Sequence, residues 1–209
     1  MIALCALGVG ATACSKSADP PASTAPPAAA VAAAEISSAS GSVIGQGPAP
    51  GSAGAVVVVL EPTIARTFPL TGEKPVMDQA GLTFGPELLL VRTGQPVEFR
   101  NSDDTLHNVR VSHEETRASS FNVAIPTGES YTYTFERDGF YRVGCDIHPA
   151  MAASIFAAST PYTTLADSTG AFSFADVAAG SWTLTVYVNG KTLRKDVAVT
   201  GGVTRISIE

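Results

Sequence analysis

GFYRVGCDIHPAM, residues 139–151, is the stretch on which the reading of this chain turns. A short strand-like run, Gly139–Gly144, delivers Cys145; two residues later comes His148, and after two more Met151. A cysteine, a histidine and a methionine at this spacing converge on one metal ion only if the loop joining two strands folds over it. A further strong ligand then has to arrive from a distant strand, and His107 in NSDDTLHNV (101–109) is the candidate. Two imidazoles and a thiolate in a plane, with a weak axial thioether, are the signature of an electron-transfer copper site. Cys-His-His alone also suits zinc; the methionine argues for copper.

Cysteine counting sharpens this reading. The chain has three: Cys5 and Cys14 near its start, and Cys145. Cys145 is thus the one thiol of the folded part, and a lone cysteine in an oxidising compartment calls for a metal or a reactive role. Taken singly, a cysteine, a methionine or a histidine is more often packing than chemistry. It is their combination in a strand–loop–strand setting that carries the inference.

The first residues read as a targeting segment, 1–14, set aside from the fold. Ile2 to Ala13 is apolar and small, well short of the roughly 20 residues of a membrane-spanning helix. Its end, Ala11-Thr12-Ala13-Cys14, resembles the cleavage box of bacterial lipoprotein signals, and that resemblance implies a lipid on Cys14. Ser15 after it implies an outer-membrane destination, although no Lys or Arg precedes the apolar run as such signals usually require. An ordinary cleaved secretory signal is the alternative. Residues 15–35 are almost wholly Ala, Pro and Ser, a composition that buries no core and reads as a disordered tether.

From residue 36 onward the chain reads as all-β, because no stretch keeps helical spacing while short Val-, Thr-, Phe- and Tyr-rich runs recur between turn signals. AVVVVLE (55–61) is continuously apolar, as a strand buried on both faces would be. SYTYTFE (130–136) alternates cleanly, residues 62–80 carry few periodic signals, and Asn189-Gly190 between alternating runs predicts a hairpin. Thirteen basic residues against nineteen acidic give a net charge of −6, with no basic cluster, so nucleic acid is not an expected partner.

Two resemblances follow from these residues. FGPELLLVRTGQPVEFRNSDDTLHNV and GFYRVGCDIHPAM resemble the first strands and the C-terminal ligand loop of the cupredoxins, in the short-loop form found in amicyanin, over residues 76–158. The resemblance implies a Greek-key β-sandwich holding one type 1 copper, with His107, Cys145 and His148 equatorial and Met151 axial. It also implies that Asn108 braces the ligand loop by hydrogen bonding, and that His148 reaches the surface beside Pro149 and Ala150. Ala150 departs from the aromatic residue often found there. His113 reads as a surface residue, with a second, weaker metal contact as the alternative, and Asp103, Asp104, Asp138 and Asp146 either flank His148 or form an ordinary solvated rim. LADSTGAFSFADVAAGSWTLTV (165–186) resembles the carboxypeptidase regulatory-like, or transthyretin-like, β-sandwich, with Trp182 as its core anchor and no zinc motif. Its opening strands match GSVIG and AVVVVLE, so one arrangement inserts the cupredoxin between the two halves 41–60 and 162–209 of that small sandwich. In the other arrangement the early strands edge the cupredoxin sheet.

The function expected from these readings is electron transfer in the bacterial periplasm, copper cycling between Cu(I) and Cu(II). The expected partner is a redox protein such as a cytochrome or a membrane-bound oxidoreductase, with the membrane reached through the lipid anchor only. A single thiolate site offers no multi-histidine copper cluster, so no enzyme activity is expected. A copper-binding or copper-delivery protein and a structural or adhesion module are the alternatives.

Overall fold

The computed structural model describes residues 39–51 and 54–209; the signal segment, Cys14 and the tether lie outside them. The described residues form sixteen strands and no helix. The apolar run at 55–61 organises half of them. Its strand β2 (Val57–Pro62) lies inside a sheet of order β12 (Thr163–Leu165), β2, β14 (Gly180–Val188), β15 (Lys191–Val199). Successive side chains of a strand point to opposite faces. Val56, Val58 and Leu60 therefore enter one core with Trp182, Leu184 and Val186, whereas Val57 and Val59 meet Phe156 and Ala158 on the other side. Polar alternation is missing because neither face meets water.

The first of those cores is closed by a sheet of order β13 (Ala171–Ala178), β1 (Ser40–Gln46), β16 (Gly202–Ser207), with β1 antiparallel to β13 and parallel to β16. Trp182 is fully buried, and its indole N–H donates to the Ala178 carbonyl at 3.0 Å. Tyr162 stands edge-on to its ring, with centroids 5.2 Å apart. The early strands thus pair with the tail of the chain and do not edge the sheets of 76–158. The predicted hairpin closes with Val188 opposite Lys191, and Asn189 and Gly190 take φ of 49° and 74°, the left-handed pair that an Asn-Gly turn favours.

Residues 76–158 form two further sheets. One has the order β4 (Thr83–Gly85), β3 (Val76–Ala80), β6 (Pro96–Asn101), β9 (Ser130–Thr134). The other has the order β5 (Leu88–Arg92), β11 (Ala152–Ala158), β10 (Gly139–Gly144), β7 (His107–His113), β8 (Ser119–Ile125). Between them lies a core of Met77, Val97, Phe99, Val109, Val111, Phe121, Phe135, Tyr141, Val143 and Ile155. Strand β3 falls in the segment where the sequence carries few periodic signals. Its inward residues are Met77 and Gln79, and a buried glutamine disguises the alternation.

The outer face of the five-stranded sheet meets the outer face of the β2 sheet. Leu88, Leu90, Phe140, Phe156 and Ala158 pack there against Val57, Val59 and Tyr187, with Phe156 and Tyr187 centroids 5.3 Å apart. Polar contacts hold the strand that leaves this block. Asp138 accepts hydrogen bonds from the Ser159 N–H (3.0 Å) and hydroxyl (2.8 Å), and the buried Thr160 hydroxyl donates to the Leu60 carbonyl at 2.9 Å.

Candidate metal centre

Strands β10 and β11 are joined by a tight loop closed by the pair Gly144–Ala152, so residues 145–151 form one short connection. Inside it the Met151 N–H donates to the His148 carbonyl (2.9 Å), the Cys145 N–H to the Met151 carbonyl (3.3 Å), and the His148 N–H to the Cys145 Sγ (3.4 Å). These bonds curl the loop over its own cysteine. Because β7 pairs beside β10, with Arg110 opposite Gly144, the start of β7 lies next to the loop and brings His107 with it.

Three donor atoms converge there. His107 Nδ1 and His148 Nδ1 each stand 3.9 Å from Cys145 Sγ and 3.0 Å from one another. The point in their plane equidistant from all three lies about 2.1 Å from each, within the range of metal–imidazole and metal–thiolate bonds. Two imidazoles and one thiolate so disposed fit a copper ion, whose reduced form prefers the soft sulfur and whose oxidised form accepts the nitrogens. Cys145 and His107 are buried, while His148 is partly exposed. Met151 is buried in the same apolar cluster as Cys145.

Asn108, one residue after the first histidine, stitches the loop to β7. Its Oδ1 accepts the N–H groups of Asp146 (2.7 Å) and Ile147 (3.2 Å) and lies 3.3 Å from Cys145 Sγ. Its amide nitrogen donates to Asn122 Oδ1 at 2.8 Å and to Asp146 Oδ2 at 3.2 Å. The Arg110 guanidinium, 2.7 Å away, and the Asn122 amide hold the Asp146 carboxyl below the usual carboxylate range.

The acidic residues do not form one rim. Asp103 turns inward, its Oδ2 2.8 Å from His107 Nε2, and the Leu82 N–H is the main cause of its lowered pKa, with His107 next. Asp138 is bound to Thr93 and Ser159, away from the ligand loop. The expectation that His113 is a surface residue is also corrected, for it is 5% exposed. Its Nδ1 accepts the Thr116 N–H at 3.2 Å, its Nε2 donates to the Asp138 carbonyl at 3.2 Å, and its ring stands edge-on to Tyr141. A Cβ on residue 139 would come within 2.9 Å of that Nε2, and Gly139 has φ of 126°, so glycine is required on both counts. The sequence places His113 at the end of an alternating strand, and the parity that buries Val109 and Val111 buries it too. That signal was available.

Three exposed apolar side chains near the centre were not singled out from sequence. Leu106 precedes His107, Ile147 precedes His148, and Leu82 gives its N–H to Asp103.

Two family models match parts of the chain. Residues 73–156 match the family model described as copper binding proteins, plastocyanin/azurin family. Residues 150–205 match the model described as polysaccharide lyase family 4, domain II, which differs from the carboxypeptidase regulatory-like family suggested by the tail motif. Among solved structures, a reduced Cu(I) variant of amicyanin is similar at 22% identity, over 42% of this chain and 85% of amicyanin, with a TM-score of 0.38. A purple cupredoxin from Nitrosopumilus maritimus is similar at 20% identity, over 40% of this chain and 99% of its own length, with a TM-score of 0.36. No curated protein matches the chain. Residues 73–156 thus form a cupredoxin domain that is similar to the copper-binding proteins of the plastocyanin/azurin family.

Proposed function

We propose that this chain is a type 1 copper electron carrier of the bacterial cell envelope, with His107, Cys145 and His148 as equatorial ligands and Met151 as the axial one. Copper bound there supplies a one-electron couple between Cu(I) and Cu(II). The observation that carries the reading is the donor triangle, whose centre already lies at bonding distance from all three atoms. The residues around it restrain rearrangement. Asp103 holds the far side of the His107 ring, and Asn108 and the loop's own hydrogen bonds hold Cys145 and His148. Burial of Cys145 and His107 keeps bulk water from the donors.

Electrons would enter and leave through His148, the one partly exposed ligand. No hydrogen bond within the described residues reaches its Nε2, and Ile147, Pro149 and Ala150 flank it along the chain, exposed and apolar. Such a flank suits brief docking with a redox protein, for instance a cytochrome or a membrane-bound oxidoreductase. The proposed location is the periplasm, on a lipid attached to Cys14, because Ala11-Thr12-Ala13 precedes that cysteine and a Pro- and Ala-rich tether follows.

The test is spectroscopic. The segment from residue 36, given Cu(II), should develop an intense visible band with narrow hyperfine splitting. Cys145→Ser should abolish the band, and Met151→Leu should keep the colour while raising the potential. A weak blue-green absorption with copper lost readily to a chelator would instead mark a delivery protein, and a band that survives Cys145→Ser would refute the ligand set.

A further inference from the structure

The two histidines of the centre differ on their far sides. His148 Nε2 has no protein partner among the described residues, whereas His107 Nε2 lies 2.8 Å from Asp103 Oδ2. That carboxylate is itself held. Gly81 N–H reaches its Oδ1 at 2.5 Å and Leu82 N–H its Oδ2 at 3.0 Å, while the Asp103 N–H donates to Asn101 Oδ1 at 3.0 Å. Gly81 and Leu82 are the two central residues of the turn between β3 and β4, with φ of 64° and 57°. A left-handed φ is ordinary for glycine but costs a leucine about 1 kcal/mol or more, and a turn keeps it only where its surroundings enforce it. Here the left-handed pair aims two successive N–H groups at one carboxylate.

We propose that Asp103 is a positioning residue of the metal centre, clamped by the Gly81-Leu82 turn so as to fix the tautomer and orientation of His107 and to place a negative charge behind that ligand. The inference rests on the copper-carrier reading above. Its chemistry is simple. An ionised carboxylate only accepts hydrogen bonds, so the ring nitrogen facing it must carry the proton. The proton on Nε2 leaves the Nδ1 lone pair free, and Nδ1 is the atom in the donor triangle. The groups facing the two carboxylate oxygens (Gly81 N–H, Leu82 N–H and the His107 ring N–H) are all donors. An amide in this place would turn its NH2 toward one of them. A residue chosen merely to fill the space would not need two acceptor oxygens. A carboxylate behind a metal-bound histidine raises the basicity of that ligand and favours the more highly charged metal ion.

The proposal is tested on the full chain with Asp103→Asn and Asp103→Ala, in two separate readouts. In the metal-free protein, nitrogen NMR of the His107 ring should report the Nε2–H tautomer in wild type and a mixture of tautomers in Asp103→Ala. In the copper-loaded protein, Asp103→Asn should shift the Cu(II)/Cu(I) equilibrium about tenfold toward the reduced form, which is about 59 mV for one electron. Asp103→Ala should also weaken copper binding by about 10- to 100-fold. A wild-type ring tautomer in Asp103→Ala, or a potential unmoved in Asp103→Asn, overturns the proposal. Absence of the blue band in wild type would sink the copper-carrier reading alone, since the tautomer measurement does not involve the metal.

Discussion

In the segments 40–62 and 163–208, Thr185 is the one buried polar side chain among the described residues, and the interior is otherwise Val, Leu, Phe, Trp and Ile. Residues 76–158 bury Gln79, Gln95, Asn101, His107, Asn108 and His113. Both regions are pairs of β-sheets closed over an aromatic core. Only the second places amides and imidazoles inside it. Such groups are unfavourable in an interior unless they find partners, and here His107, Asn108, Asn101 and His113 find them. Asn108 bonds the loop 145–151 directly, and Asn101 and Asp103 hold the segment that leads into His107. The difference teaches that the apolar sandwich is held by packing with little buried polarity, while the other holds polar groups in place around three donor atoms that meet at one point.

Changes at matched positions sharpen this contrast. The largest effect should come from Trp182→Ala, where a fully buried ring is removed from an apolar core. It should lower unfolding free energy by about 3–5 kcal/mol, read from denaturant titration. Below the transition the copper band of the loaded protein should stay unchanged. Loss of colour before unfolding would mean that the two regions are not separable in role. Asn108→Ala strikes the other side of the comparison. It removes the acceptor for two loop N–H groups and should cost about 1–3 kcal/mol. The copper band should broaden and the potential should shift, because the loop loses its brace; a wild-type spectrum would contradict the assigned role.

The smallest effect belongs to acid. In the apolar region Asp167 is held below the usual carboxylate range, first by the Thr169 hydroxyl and then by the N–H groups of Ala171 and Thr169. A depressed folded-state pKa stabilises above the unfolded value, about 3.9, and that contribution is lost as pH falls through the folded value. Asp167→Ala should therefore be less stable than wild type at neutral pH, and the two stabilities should converge in acid. Denaturation midpoints at pH 7 and pH 3 check this, and a gap that persists in acid would show that Asp167 acts through packing instead.

Much of this was legible in the sequence. The spacing of Cys145, His148 and Met151 points to a loop between two strands, where the structure brings Cys145 and His148 together with His107, and the unbroken apolar run at 55–61 announces a strand covered on both faces. What stayed hidden has physical reasons. Gln79 faces inward and breaks the pattern that would have revealed β3. The inward turn of Asp103 depends on a hairpin more than twenty residues away, which no local pattern encodes. The general exposure of histidine masks the strand parity that buries His113.

The pairing of Val59 with Thr163 bears on the order in which the chain assembles. Strands β2 and β12 are neighbours in one sheet, yet the entire block 76–158 lies between them in sequence. Closing so long a connection while it is unfolded carries an entropic penalty that slows non-local pairing. Once the block has collapsed, its first and last segments are fixed in space and the gap is spanned by ordered chain. Prior collapse of the block would remove most of that penalty, so the pairing of β2 with β12 is coupled to the folding of everything between them.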